Sequence, residues 1–449
     1  MKTCKYLIYF GIGLISCINA GLADNSARNI KNIKFDDCNN VSFSNKKLDL
    51  FDLIRIGVCN NPSLKYEYLS IKVSEKELSE KKADYFPEIN ASLSAGKNFS
   101  KIEKVDKSGI DNPYSGSLNL SWLLYDFGGR ETEIGKFNEY LKASKNLYDS
   151  KLQEMILSVS KAYFKLLGAE ESLKSEIANE KMYAKSYEES KRKYQLGMIS
   201  LSDELQAKTS YENSSLAVIQ AKNIVEQYKG NLAILLNLSP STNFDLHDMS
   251  MDSNIIQIQS DDVNYLMDLA VKNRSELKQK KNEIEVSKYN VKNAKSELAP
   301  TIRATASTSY SDNWKESNPY RKESYVGLNV SIPLFSGFST VNSISRSKYE
   351  VQQAKYSYES LKNDIKNEVW SAYQNYKTSV DKYAKSEQLL KSSEESYKVA
   401  FKSYEIGKID IVSLLTASSQ LANSRQERIN AFYSVLINKV SLYRTIGEF

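Results

Sequence analysis

The chain gives one unusual instruction twice: a strand that runs on into a very long helix. Residues 117–134, SLNLSWLLYDFGGRETEI, set Leu118, Leu120 and Trp122 against Ser117, Asn119 and Ser121. That is the two-residue alternation of a strand. After Gly128 and Gly129 it gives way to helical spacing, and residues 328–345, LNVSIPLFSGFSTVNSIS, repeat the change. The copies are in register. Tyr194-Gln195-Leu196-Gly197 returns as Tyr404-Glu405-Ile406-Gly407, and Leu118-Asn119-Leu120-Ser121 as Leu328-Asn329-Val330-Ser331, both at an offset of 210. Pro87-Glu88-Ile89 returns as Pro300-Thr301-Ile302 at an offset of 213, so the difference falls between Pro87 and Leu118. An offset that carries proline, glycine and strand motifs in order marks an internal repeat.

Each half therefore predicts one series of elements. Repeat 1 occupies 48–236: a helix over 48–84, strands over 88–96 and 115–124, a long helix over 130–195 and a return helix over 201–236. Repeat 2 occupies 261–449: a helix over 262–298, strands over 301–310 and 324–335, a long helix over 339–405 and a return helix over 411–446. Polar loops, 97–114 and 311–323, separate the strands, and a linker over 237–260 with Pro240 joins the halves. Seven-residue spacing runs along the long helices, through Leu152, Val159 and Leu166, and through Val369, Tyr376, Tyr383 and Leu390. Such spacing implies left-handed supercoiling. At about 1.5 Å per residue, each long helix reaches roughly 100 Å, far beyond what a globular core needs. The scarcity of glycine (17) and proline (7) among 449 residues suits uninterrupted helices.

The N-terminus, Met1-Lys2-Thr3-Cys4-Lys5 followed by an apolar run, reads as a signal peptide over 1–20. Cleavage falls after Ala20 or Ala23, and residues 21–47 form a periplasmic arm. The alternative is LISC, residues 14–17, a lipobox-like stretch that would leave Cys17 lipidated. No later run of 18 apolar residues predicts a membrane helix. Cys38 and Cys59 remain in the mature chain of an oxidising compartment. They read as a disulfide pinning the arm to the first helix, or as two small unpaired apolar residues.

The net charge of +6 is spread among alternating lysines and glutamates, with no basic run to recruit nucleic acid. The sole histidine is His247. No nucleophile constellation, metal-ligand spacing or phosphate-cradling loop is visible, so neither enzyme activity nor a cofactor is expected. The strands point elsewhere. Four strands of about ten residues, apolar on one face and Ser/Asn/Thr on the other, match the alternation of outer-membrane barrels. Trp122, Tyr125, Phe127, Phe335 and Phe338 cluster where strand becomes helix, as an interfacial girdle would. Four strands cannot close, and an open edge in lipid costs several kcal/mol per unpaired group. Other copies must complete the wall: two chains give eight strands, three give twelve and room for an aqueous lumen. The competing arrangement is a soluble four-stranded sheet on helices.

With LLYDFGGR and IPLFSGF at the paired strand ends, YFPEI and LAPTI at the junctions, and YQLGMISLSDELQA paired with YEIGKIDIVSLLTA, the mature chain resembles the TolC family of outer-membrane channels over nearly its whole length. The resemblance implies an α+β membrane protein. It would be a homotrimer with a twelve-stranded barrel in the outer-membrane lipid of a Gram-negative bacterium and a helical barrel in the periplasm. It implies passive conduction, with a periplasmic adaptor (membrane fusion) protein and an inner-membrane ABC exporter or proton-driven pump as partners. It carries adaptor docking onto the tip residues Leu196, Gly197, Ile406 and Gly407. It carries a periplasmic gate onto Asp203, Glu204, Asp410, Ser413 and Thr416, although Ser413 and Thr416 stand where relatives often place aspartates. The arm with Cys38 and Cys59 resembles secretion-associated members, so type I protein secretion is the first expectation. Small-molecule efflux is the alternative, and a periplasmic coiled-coil scaffold without a pore the second alternative.

Overall fold

The structure is a computed structural model that describes residues 47–102, 107–111, 113–247, 262–313 and 320–448. It divides into two units. One comprises Tyr68–Leu147 and Glu276–Ser360; the other comprises the described residues among Met1–Glu67, Tyr148–Ser275 and Leu361–Phe449.

The first unit holds the sheet. Its strands are β1 (Glu88–Ala95), β4 (Pro113–Tyr125), β5 (Thr301–Asn313) and β6 (Arg321–Ser331), antiparallel in the order β1-β4-β5-β6. The register explains why the alternation matters. Ile89 faces Leu120, Ala91 faces Leu118, Leu120 faces Ala306, Ala306 faces Val326 and Ala304 faces Leu328. Every apolar position of the period-two pattern thus falls on one face. The other face is a polar lattice, with Ser92 Oγ 2.8 Å from Ser117 Oγ and Ser94 Oγ 2.7 Å from Ser115 Oγ. Leu93, at 90% exposure, and Val326, at 84%, show how little of the apolar face this chain covers by itself.

Three sequence expectations need correction here. The loop over 97–114 contains a hairpin, β2 (Asn98–Ile102) with β3 (Lys107–Asp111), in whose register Phe99 pairs with Ile110. The second strand of repeat 2 begins at Arg321 and stops at Ser331 rather than 335. Pro333 follows two residues later and has no N–H to extend a ladder. The first helix of each repeat is broken in two.

That break is shared by both repeats. Helices α1 (Leu50–Asn60) and α2 (Pro62–Ala83) meet at Asn61, whose ψ of 120° is extended, as a residue before proline prefers. Asn61 then accepts a hydrogen bond from Leu64 N at 3.2 Å and starts the new helix. In repeat 2, α5 (Val263–Asn273) and α6 (Ser275–Ser296) meet at Arg274, again with extended ψ (123°), although Ser275 replaces the proline. There a tertiary contact does the work. Arg274 is buried, and its Nη1 donates to Glu368 Oε2 at 2.9 Å and to Thr445 O at 3.2 Å.

The second unit is helical. Its long elements come from α3 (Gly129–Gln195), α4 (Leu201–Leu235), α7 (Ser339–Glu405) and α8 (Ile411–Ile446). The seam of α7 buries Ile365, Val369, Tyr373, Tyr376, Ser379, Tyr383, Ser386 and Ser393, at steps of three, four and seven residues. Helix α8 packs on α4 and α5. The serines let helices approach: Ser393 Oγ lies 2.8 Å from Ser424 Oγ of α8. No helix among the described residues is long and apolar enough to cross a membrane. Cys59, buried on α1, is disulfide-bonded. Cys38 and Cys17 lie outside the described residues, as do the signal peptide and most of the arm.

Candidate functional sites at the helix tips and the strand-to-helix elbow

Helices α3 and α7 end in the same way. Gly197 and Gly407 adopt φ of +70° and +75°, the left-handed region that favours glycine. Gly197 N donates to Tyr194 O at 2.9 Å and Met198 N to Lys193 O at 2.8 Å; Gly407 N donates to Tyr404 O at 3.0 Å and Lys408 N to Ser403 O at 2.8 Å. These are paired Schellman closures, which satisfy the last helical carbonyls and turn the chain sharply. The turns present Leu196 at 69% and Ile406 at 68% exposure. The structure thus places the four docking candidates at two equivalent tips, both within the helical unit.

The gate candidates sit one residue group later, and local geometry already occupies most of them. Ser200 caps α4: Asp203 N donates to its Oγ at 3.2 Å, while Ser200 N donates back to Asp203 Oδ2, also at 3.2 Å. This is a capping box. At the second tip the residue types exchange places. Asp410 is the cap and accepts from Ser413 N at 2.8 Å. The Ser413 hydrogen bonds hold the Asp410 carboxyl below its ordinary range. Thr416 donates from Oγ1 to Val412 O at 2.8 Å, and Glu204 N donates to Ser200 O at 3.3 Å. Asp203 and Asp410 are therefore not equivalent, since Asp410 stands where Ser200 does in repeat 1.

A core of Ala207, Phe401, Tyr404, Ile411 and Leu414 joins the two tips. Polar ties that sequence reasoning missed reinforce it. Buried Lys193 donates from Nζ to Tyr404 O and lies 4.1 Å from that ring's centroid. Tyr404 OH and Ser190 Oγ are 2.9 Å apart. Burial pushes the Lys193 ammonium below its ordinary range. A lysine in a last helical turn was a visible signal, because it suits the negative end of the helix dipole. That it serves the end of α7 rather than its own α3 was not visible. Beside this core, Leu201, Leu205, Val412 and Leu415 line an open groove of about 1210 Å³, rimmed by Gln206 and Thr416, with no charged side chain among its lining residues.

The other built site is the elbow from β4 into α3. Arg130 is 8% exposed, with Nη1 on Leu123 O at 2.8 Å, Nη2 on Leu124 O at 3.0 Å and Nε 3.4 Å from Asp126 Oδ2. Its guanidinium stacks 4.4 Å from the Tyr85 ring centroid. Asp126 Oδ2 also accepts from Arg130 N at 2.7 Å, capping α3. Trp122 Nε1 donates to Tyr85 O at 2.9 Å, and Tyr85 OH donates to Glu131 Oε1 at 2.8 Å. The ladder slips between Leu123 and Tyr125, which frees the carbonyls that Arg130 takes. The elbow of repeat 2 has no such arginine: Ser336 Oγ and Thr340 Oγ1 meet at 2.9 Å instead.

Comparison with known proteins places this geometry. The chain matches the outer membrane efflux protein family over residues 53–238 and 266–448. It is 23% identical over 416 residues to outer membrane protein TolC of Escherichia coli K12, covering 86% of this chain and 80% of that one. It is 22% identical to the toluene efflux pump outer membrane protein TtgC of Pseudomonas putida (89% and 82% covered) and 21% identical to the alkaline protease secretion protein AprF of Pseudomonas aeruginosa (87% and 82%). The solved outer-membrane channel OprN superposes with a TM-score of 0.77 at 17% identity, covering 93% of this chain and 96% of that one.

Proposed function

Since the chain belongs to the outer membrane efflux protein family, we propose that three copies close a twelve-stranded wall around a pore, the exit duct of a tripartite export system. The carrying observation is the sheet. Among the described residues β1 and β6 each pair on one side alone, and the apolar face is exposed at Ile89, Leu93, Leu118, Val326, Leu328 and Val330 and half-buried at Leu120, Ala304 and Ala306. A membrane supplies the solvent for that face, and neighbouring copies supply partners for the edges. Substrate passes from an inner-membrane transporter and a periplasmic adaptor, which docks at Leu196, Gly197, Ile406 and Gly407. Type I protein secretion is the first reading. Its support is the similarity to AprF and the Cys59 disulfide on α1, where the arm with Cys38 resembles secretion-associated members. The similarity to TtgC supports small-molecule efflux as the second.

The testing measurement is the native mass of the protein extracted from outer membranes in detergent. Three times the 51.0 kDa chain, less any leader removed, is the expected result. A soluble monomer overturns the shared wall.

The gate reading assigns closure to the tips, with Asp203 and Asp410 contributing, Glu204, Ser413 and Thr416 beside them, and opening as an untwisting of the inner helices. Replacing Asp203 and Asp410 together by alanine removes the return half of the first capping box and the cap of the second helix, and should raise single-channel conductance by about threefold or more, since a lost cap costs about 0.5–2 kcal/mol. Unchanged conductance and unchanged drug leakage would remove both residues from the gate.

A further inference from the structure

The polar face of the sheet carries charges as well as serines. The register puts Glu88 opposite Ser121, Ser121 opposite Thr305, and Arg303 between Leu123 and Asn329. Side chains two residues apart lie on one side of a strand, so Glu88, Arg303, Arg321 and Glu323 all share the face of the serine lattice. Arg321 and Glu323 neutralise each other, with Arg321 Nε donating to Glu323 Oε1 at 2.7 Å. Glu88 and Arg303 lie at the opposite end, where β1 and β5 begin after their helices. Glu88 Oε1 accepts from Asn90 Nδ2 at 3.0 Å. Arg303 is exposed, and its partner is neutral: Nη1 donates to Ser121 Oγ at 3.2 Å. Among the described residues it forms no ion pair.

The strand order spaces these charges evenly. Glu88 is on β1 and Arg303 on β5, with β4 between them. Where a neighbouring copy's β1 completes the edge at β6, only β6 separates Arg303 from the next glutamate. Each arginine then stands two strands from an acid on either side, about 9–10 Å across the ladder. The backbone spacing brings neither acid into register with the arginine, so the guanidinium remains open to the lumen. A guanidinium is a planar fork of N–H donors that matches the paired oxygens of a carboxylate or phosphate. Ser121 takes one of those donors, whereas the Glu88 carboxylate already has a donor in Asn90. Rings of arginine favour anions in pores, and residues on a barrel's inner face tune selectivity.

We propose that Arg303 is a charge filter in the lumen of the sheet. One guanidinium from each copy forms a ring that draws the carboxylate or phosphate groups of passing solutes and sets a preference for anions. Glu88, spaced between the arginines, keeps that attraction weak enough for release. The filter is separate from the acidic gate candidates, because Arg303 belongs to the sheet unit and Asp203 and Asp410 to the helical one. It rests on the sheet being the wall of a pore.

The test places purified trimer in a planar lipid bilayer and reads the reversal potential across a potassium chloride gradient near 0.1 M, where a charge acts over about 10 Å. Arg303→Gln keeps a donor for Ser121 and removes the charge, and the chloride-to-potassium permeability ratio should fall about twofold or more. Arg303→Lys should hold the ratio near that of the unsubstituted protein. Glu88→Gln leaves Arg303 in place and should raise it. Citrate and tripolyphosphate, added in turn to the compartment that stands for the cell exterior, should reduce the current through the unsubstituted trimer. Block by either anion that weakens in Arg303→Gln supports the ring and identifies the group it holds. An unchanged ratio in Arg303→Gln, or in Glu88→Gln should the first variant not assemble, overturns the filter. So does anion block that is absent, or equal with and without the arginine. The two readings fail differently: a chain that forms no conducting trimer defeats the wall, whereas a conducting trimer whose selectivity ignores Arg303 defeats only the filter.

Discussion

Arg130→Met should leave almost no trimer in detergent extracts, with the chain recovered as degraded or aggregated monomer. Arg130 holds two carbonyls at a slipped position of the ladder and lies against Asp126, with both residues buried. Methionine fills the space and donates nothing. It leaves Leu123 O and Leu124 O without that donor and Asp126 as a buried carboxylate without its cation. Removing one partner of a buried pair costs about 3–5 kcal/mol, against about 5–15 kcal/mol for a whole domain. The loss falls where strand pairing must be finished before copies can join. Two further variants identify the mechanism. In Asp126→Asn/Arg130→Met no orphan charge remains, so trimer yield should recover in part; yields equal to the single variant would show that the carbonyl contacts, not the ion pair, dominate. Arg130→Lys should fall between, because one ammonium cannot reproduce a planar fork on two carbonyls and a carboxylate. Normal trimer yield for Arg130→Met would show that the elbow is dispensable.

The elbow also shows what the sequence could not say. Repeats, long helices and strands were legible because each rests on a period. Two-residue alternation survives into a register that puts Ile89, Leu120, Ala306 and Val326 on one face. Seven-residue spacing survives into the buried seam of Val369, Tyr376 and Tyr383. The tip glycines were legible because a glycine inside a helical pattern needs a reason, and left-handed φ supplies it. What escaped was set by contacts distant in sequence or by position rather than type. The helix break at Arg274 depends on Glu368 and Thr445. The exchange of Ser200/Asp203 for Asp410/Ser413 is visible in the letters, yet it becomes meaningful only when both prove to be helix starts. Acidic residues placed near a tip for a gate are the same residues a helix start recruits for its cap. Residue type cannot separate the two roles.

Leu196→Asp combined with Ile406→Asp should abolish export while trimer yield stays normal. Both side chains project from the turns at more than two-thirds exposure, so folding gains little from them. Exposed leucine and isoleucine at two equivalent tips are apolar surface a partner can cover, and a carboxylate there must be desolvated when the partner seats. Loss of a central contact in an interface typically costs about 2 kcal/mol or more. Two such losses, if additive, weaken docking by roughly a thousandfold, since every 1.4 kcal/mol is tenfold. Export would be read in a strain whose only copy is the variant, both as secreted protein in the medium and as tolerance to a small toxic compound. Loss of the first alone supports secretion; loss of the second alone supports efflux. Gly197→Val with Gly407→Val approaches the same surface through the backbone. A β-branched residue at φ near +70° costs about 1–2 kcal/mol at each turn and displaces the neighbouring apolar side chain. Export should fall in both double variants. Full export from the aspartate pair would move docking away from the tips, and the uncharged groove of Leu201, Leu205, Val412 and Leu415 is the next surface to test. Thr416→Lys would place a cation on its rim without touching either turn.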